Sequence, residues 1–78
     1  MGSRKNGVSE FGLKVSAAIK FEAATRLMRS KDIAQVIGKS EGYVHGRIHD
    51  EKEWTLADLG YLTEYWGMTP EELLRKYS

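Results

Sequence analysis

The residues best suited to chemistry lie in one short stretch, SEGYVHGRIHD, at positions 40–50. It places two imidazoles, His45 and His49, four residues apart, a spacing that brings them to one face of a helix. Imidazoles at that spacing are able to hold a metal ion, and Glu41 or Glu53 would then supply a third ligand. However, the chain has no cysteine, and contact with a polyanion accounts for the same face. We therefore expect no metal and no cofactor.

The charge of the chain is unevenly distributed along its length. Residues 1–50 carry nine Lys and Arg against five Asp and Glu, a net charge of +4, whereas residues 51–78 carry three against six, a net charge of −3. The first part therefore suits a polyanionic partner, and the second does not. Ordinary scattered surface charge would give the same balance and stays open as an alternative.

Catalysis and membrane insertion are both disfavoured by features that the sequence lacks. It has no glycine-rich phosphate loop after a strand, no nucleophile with a base at a defined spacing and no paired carboxylates, so we do not expect an enzyme. No apolar run approaches the roughly 20 residues that span a bilayer, and no secretory signal leads the chain. Together with the absence of cysteine, this favours a cytoplasmic protein.

Five short helices are predicted to position these residues in a single all-α domain at 10–78, after a flexible basic arm at 1–9. The first helix is predicted over 10–28, with an inward stripe of Phe11, Val15, Ala18, Ile19 and Glu22. The second is predicted over 30–37, capped by Ser30 and ended by Gly38, and the third over 40–49, capped by Ser40. Thr55 and Thr69, each followed three residues later by an acid, are predicted to begin the fourth and fifth helices, which end near Trp66 and Lys76.

Two short helices joined by a tight turn that contains glycine make up a helix-turn-helix, here at about residues 30–49. The segment SKDIAQVIGKSEGYVHGRI, with the trailing WTLADLGYLTEYWGMTPEELL, resembles the Cro/repressor-type (XRE-like) helix-turn-helix regulators over roughly residues 11–74. The chain departs from that family at Lys39, where an apolar residue is usual, and at Ser30, where glutamine is common. It also has Arg47 at the second anchor position, so that Ile48 takes the anchoring role one residue later.

The resemblance implies both a fold and a function. The fold would be the five-helix, lambda-repressor-like DNA-binding domain, and the function that of a sequence-specific transcriptional regulator of double-stranded DNA. A chain this short is typical of a small phage or prophage repressor or Cro-like protein, which acts in the host cytoplasm with helix 40–49 in the major groove.

A helical wheel of the third helix separates two faces. Val44 and Ile48 lie on the core side, whereas Gly42 and Gly46 lie opposite them. Each glycine costs a helix interior roughly 1 kcal/mol relative to alanine, and close approach to the floor of a DNA groove would offset that cost. Tight packing against another helix, a partly looped segment and neutral drift on a solvated surface are the alternatives.

Side-chain chemistry then suggests individual roles. The predicted base-facing residues are Glu41, Gly42, Tyr43, His45, Gly46 and His49. The predicted phosphate contacts are Arg29, Ser30, Lys31, Lys39, Ser40 and Arg47, and the predicted backbone or minor-groove contacts of the arm are Arg4 and Lys5. For Glu41 the alternative is a favourable charge at a helix N-terminus, for Tyr43 packing at the rim, and for the arm a segment without a role.

A different use of the same fold is the second hypothesis. Such a domain can act as a protein-interaction module, for example as an antitoxin or as a phage factor that binds a host protein. On the last helix, Leu73, Leu74 and Tyr77 either fill the core or leave an apolar surface on which a homodimer would form. A dimer would place its recognition helices about one DNA turn apart, on a pseudo-palindromic site.

Overall fold

The computed structural model describes residues 7–78, which form five α-helices and no strand. Their bounds are Glu10–Thr25 (α1), Ser30–Ile37 (α2), Glu41–Ile48 (α3), Leu56–Tyr65 (α4) and Pro70–Lys76 (α5). The all-α class and the number of helices are therefore as predicted. In this range no helix combines the length and the apolar character that crossing a bilayer requires.

The folded part of the chain begins before residue 10, so the predicted boundary of the N-terminal arm is wrong. Val8 is buried, with 1% of its surface exposed. Ser9 caps α1 by accepting a hydrogen bond from the Gly12 N–H at 2.9 Å, and its own N–H donates to the Glu53 carboxylate at 2.9 Å. These contacts tie residues 8 and 9 to the domain, whereas Arg4 and Lys5 lie outside the described residues.

The end of α1 also differs from the prediction, which carried the helix on to Met28. Leu27 adopts a left-handed conformation with φ 58°, and the Met28 N–H donates back to the Ala23 carbonyl at 2.8 Å. This pair of features terminates a helix by satisfying its last carbonyls, and it needs no glycine here. Phe11, expected to point inward at the other end of α1, is 62% exposed.

Helix α2 has the predicted bounds, but its N-cap residue lies one position earlier than predicted. Arg29, not Ser30, is the N-cap residue, and its N–H donates to the Asp32 carboxylate at 2.8 Å. Ser30 is consequently the first helical residue. Gly38 ends the helix with φ 70°, as predicted.

The last two helices start at the predicted caps. The Thr55 hydroxyl accepts from the Asp58 N–H at 3.0 Å, and the Asp58 carboxylate accepts from the Thr55 N–H at 3.0 Å. Thr69 and Glu72 repeat this reciprocal arrangement at 3.1 and 2.7 Å. Each capping box satisfies two backbone donors that the first helical turn leaves unpaired.

One apolar core joins all five helices. Its most deeply buried side chains, each at most 2% exposed, are Ala18, Ile19, Ile33, Val44, Leu62 and Leu73. Glu22, on the predicted inward stripe of α1, is also buried, at 1% exposed. The core fixes α3 through Val44 and thereby determines which of its faces meets solvent.

Candidate nucleic-acid interface

Helix α3 is held against the protein along one side and begins as predicted. The Ser40 hydroxyl accepts from the Tyr43 N–H at 3.1 Å and caps the helix. Val44 has no exposed surface, and the half-buried Ile48 packs against the core one turn later. The side opposite these anchors is therefore the side that a ligand would meet.

The C-terminal end of α3 is fixed by Lys20, a residue that sequence reasoning did not single out. Lys20 on α1 donates from Nζ to the Ile48 carbonyl at 3.0 Å and to the Asp50 carboxylate at 3.3 Å. Asp50 itself is left-handed, with φ 60°, and the Glu51 N–H donates to the Gly46 carbonyl at 2.8 Å. A cation near the last carbonyls of a helix is electrostatically favourable, so Lys20 helps to set where α3 stops.

The two glycines of α3 lie where a Cβ would have room. A Cβ built on Gly42 would have its nearest neighbour, the Ser40 hydroxyl, at 3.9 Å, and one on Gly46 would lie 4.0 Å from the Glu51 carboxylate. Neither residue has a positive φ, and both are helical. Neither helix packing nor a loop conformation explains them within residues 7–78, so those two alternatives do not hold for the described part of the chain.

The other groups on the outer side of α3 are polar and exposed. Glu41, His45 and His49 are all exposed, and the two imidazole rings lie 5.9 Å apart between centroids. No group of three His, Cys, Asp or Glu able to hold a metal ion occurs within residues 7–78. The face therefore presents two imidazoles and the Glu41 carboxylate, with the Glu51 carboxylate beside Gly46.

Tyr43, predicted to face bases, occupies a different place. It is half-buried, and its hydroxyl donates to the Asp58 carboxylate at 2.8 Å. Burial and this hydrogen bond to Asp58 raise the pKa of the Tyr43 phenol above its ordinary value. Because the hydroxyl is already used within the protein, we correct its assignment from a base contact to a residue that supports α3.

Arg47, predicted to contact phosphate, lies against Tyr43. Its guanidinium carbon is 3.5 Å from the centroid of the Tyr43 ring, and its Nη1 donates to the Tyr43 carbonyl at 3.4 Å. The ammonium group of Lys39 lies 5.3 Å from the same centroid. Two predicted phosphate contacts are thus gathered around one aromatic ring.

The remaining predicted phosphate contacts flank α3. Arg29 and Lys31 are exposed at the start of α2, next to the half-buried Ser30. Arg29 and Ser30 line one surface depression together with Lys20 and Ile48. The start of α2 and the end of α3 therefore border one depression, in which Arg29 and the Asp50-paired Lys20 are the cations.

The last helix forms a separate surface with α1. Leu73, predicted as part of a dimer surface, is fully buried and has no area to offer, so that assignment is wrong. Leu74 and Tyr77 are half-buried, and with Phe11 they line an apolar depression. Phe21, 58% exposed, stacks on Tyr77 with ring centroids 5.6 Å apart, and the two exposed phenylalanines widen the apolar surface beyond the predicted one.

Comparison of the chain with protein-family models, with curated proteins and with solved structures finds no match. Inference about function therefore depends on the geometry and chemistry of these surfaces.

Proposed function

We propose that the protein is a sequence-specific double-stranded DNA-binding transcriptional regulator, a small phage or prophage repressor or Cro-like protein. In this proposal α2, the turn at Gly38 and α3 act as a helix-turn-helix, with α3 in the major groove. The observation that carries the proposal is the outer face of α3, on which a Cβ at Gly42 or Gly46 would have no neighbour closer than 3.9 Å.

A major groove is about 12 Å wide and deep enough for an α-helix, and its floor displays the base edges that distinguish sequences. A helix without side chains along its outer strip brings its backbone closest to that floor. The glycines are unfavourable for the helix itself, by roughly 1 kcal/mol each, and no close neighbour within the described residues excludes a Cβ at either position. A close external partner would offset that cost.

The side chains around the strip suit the two kinds of contact that DNA requires. His45 and His49 offer imidazoles to base edges, and Glu41 offers an acceptor for a cytosine amino group. The proposed phosphate contacts are Arg29, Ser30, Lys31, Lys39, Ser40 and Arg47, which supply affinity and orientation but no sequence information. Arg4 and Lys5 stay proposed contacts of the N-terminal segment.

The proposed regulator would bind DNA as a two-fold symmetric homodimer. The apolar surface of Phe11, Phe21, Leu74 and Tyr77 lies on α1 and α5, and exposed apolar patches of this kind commonly mark protein contacts. Helix α5 carries Glu71 and Glu72 in its first turn and basic residues in its last. An antiparallel pair of α5 helices would therefore match opposite charges.

Selection of binding sites from random duplex DNA tests the proposal. We expect an enriched motif, a specific affinity at least about 1,000-fold tighter than that for random duplex, and affinity that falls steeply with salt. A dimer would select two half-sites about 10 base pairs apart, centre to centre, and a monomer a single half-site. Absence of duplex binding at low salt would refute the proposed function.

A second candidate function, that of a protein-interaction module, is favoured by one specific observation. Leu27, Tyr61 and Tyr65 are 87%, 52% and 63% exposed, and together with Met28 and Val36 they line a groove beside α4. A partner protein that covers this groove would suit an antitoxin or a phage factor that binds a host protein. This function predicts no enriched DNA motif, so the same selection separates the two.

A further inference from the structure

The residues at positions 39, 43 and 47 form a stripe with an aromatic ring at its centre. Arg47 stacks on the Tyr43 ring with its guanidinium carbon 3.5 Å from the centroid, and the Lys39 ammonium lies at 5.3 Å. Both distances fall within the roughly 6 Å over which a ring attracts a cation. Among the described residues neither cation is paired with a carboxylate, so the ring is their principal partner.

The ring itself is fixed from the opposite side. The Tyr43 hydroxyl donates to Asp58 Oδ2 at 2.8 Å, and the same oxygen accepts the Thr55 N–H at 3.0 Å within the capping box of α4. Asp58 is 1% exposed, so water does not compete for its hydrogen bond with Tyr43. The phenol is thereby attached to the first turn of α4 while its ring faces the two cations.

Stacking leaves the Nη end of the guanidinium, but not the buried Nε, available to a phosphate. Arg47 Nη1 makes only a long hydrogen bond to the Tyr43 carbonyl, at 3.4 Å, and Nε is buried without a hydrogen-bond partner among the described residues. The ring therefore holds this side chain more than hydrogen bonds do. A guanidinium held by its face keeps in-plane N–H groups with which to donate to a phosphate.

We infer that Tyr43 is a positioning residue whose ring presents Lys39 and Arg47 together to the DNA backbone, as one phosphate-contacting pair. The inference rests on the proposed function, since it assigns those cations to phosphate. This role of Tyr43 differs from a base contact because Tyr43 itself touches no DNA. Pre-ordering two long side chains reduces the entropy that they lose when phosphate binds.

Two matched variants separate the ring from its hydroxyl. Tyr43→Phe and Tyr43→Leu both lose the hydrogen bond to Asp58, but only Tyr43→Leu loses the aromatic face. We expect Tyr43→Phe to keep the affinity for random duplex DNA within about twofold. We expect Tyr43→Leu to weaken it about three- to fivefold, the size that a partly exposed cation–π contact supports. Equal losses in the two variants would overturn the inference.

A double-mutant cycle excludes a merely structural role. In a Lys39→Gln, Arg47→Gln background, Tyr43→Leu should have no further effect on affinity. If it weakens binding there as much as in the native chain, the residue acts through the fold and the inference fails. Wild-type protein that binds no duplex would refute the proposed function and the inference together, whereas duplex binding that Tyr43→Leu leaves unchanged would refute the inference alone.

A measurement without DNA completes the test. The δ-methylene protons of Arg47, whose carbon is two bonds from the guanidinium carbon that lies over the ring, should resonate upfield in the NMR spectra of the wild type and of Tyr43→Phe. They should return to ordinary positions in Tyr43→Leu. Ordinary positions in the wild type would overturn the stacked arrangement directly.

Discussion

At Gly46, the cost of a glycine to the stability of the fold and its proposed benefit to DNA binding can be measured separately. The residue is helical, its φ is negative and a Cβ there would meet only the far end of Glu51, at 4.0 Å. Alanine should therefore fit without strain and stabilise the fold by about 0.5–1 kcal/mol, because it restricts the unfolded chain and favours the helix.

We expect Gly46→Gln to gain similar stability yet to lose at least about tenfold in affinity for the selected site, which is about 1.4 kcal/mol. The longer side chain would hold the backbone of α3 away from the base edges. Urea unfolding and a binding titration of both variants measure the two effects, with Gly46→Ala as the control that replaces the glycine without adding a long side chain. Undiminished affinity of Gly46→Gln for that site would show that this face does not approach DNA closely.

The site was partly predictable at this scale. Ser40 as a cap, Val44 as an anchor and the outward direction of the glycines all followed from local spacing. The hydrogen bond from Tyr43 to Asp58 did not follow from local spacing, because Asp58 lies 15 residues further on and its burial depends on how α4 packs. One sequence signal did point to the contact of Tyr43 with its two cations. Lys39, Tyr43 and Arg47 are spaced four residues apart, which places a cation on either side of an aromatic residue.

At the scale of elements, the ends of α1 and α3 were harder to predict than the starts of α4 and α5. Thr55 and Thr69 act through their own side chains on donors three residues away, so a local motif identifies them. The ends of α1 and α3 instead depend on backbone hydrogen bonds, with Leu27 and Asp50 in left-handed conformations. Neither residue type indicates such a turn as glycine does, and α1 was accordingly predicted three residues too long.

Leu27 provides a test of this explanation. A leucine in the left-handed region costs roughly 1 kcal/mol or more, and its side chain is 87% exposed, so it recovers little by packing. We expect Leu27→Gly to raise the free energy of unfolding by about 0.5–1 kcal/mol, less than the full strain because glycine also frees the unfolded chain. Chemical denaturation measures the change.

Leu27→Ala is the matched control, since it removes the exposed side chain but retains a Cβ in the strained conformation. It should not be stabilising. A Leu27→Gly variant that is less stable than the native chain would mean that the leucine side chain contributes packing that outweighs its backbone strain. Neither change should alter DNA affinity, because Leu27 lies beside α4 and away from α3.

At the scale of the whole molecule, a buried carboxylate joins the two ends of the fold. Glu22 on α1 accepts hydrogen bonds from Arg26 Nε at 2.6 Å, Lys76 Nζ at 2.8 Å and the Tyr77 hydroxyl at 2.7 Å. The helical pattern placed Glu22 on the inward stripe, but it gave no indication of partners 54 and 55 residues away. Such partners depend on the docking of α5 against α1, which local sequence does not determine.

This network predicts how stability depends on pH. Burial by itself would raise the pKa of Glu22, but the hydrogen bonds from Lys76, Tyr77 and Arg26 outweigh it and lower the pKa from 4.5 to about 2. The unfolded chain therefore binds the proton more tightly than the folded one, so the stabilisation is complete above about pH 4.5 and is lost as the pH falls towards 2. Urea unfolding of the native chain between pH 7 and pH 2 should show this decline.

Glu22→Gln should remove that part of the pH dependence and lower the free energy of unfolding at pH 7 by about 1.5–3 kcal/mol, the range for a lost hydrogen bond to a charged group. Glu64→Gln, which changes an exposed carboxylate on α4, is the control and should keep both the stability at pH 7 and its decline in acid. If Glu22→Gln and the native chain lose stability in parallel between pH 4.5 and pH 2, other carboxylates are responsible. The link between α1 and α5 would then owe little to the charge of Glu22, and the apolar contacts of Leu73 would have to account for the docking of the last helix.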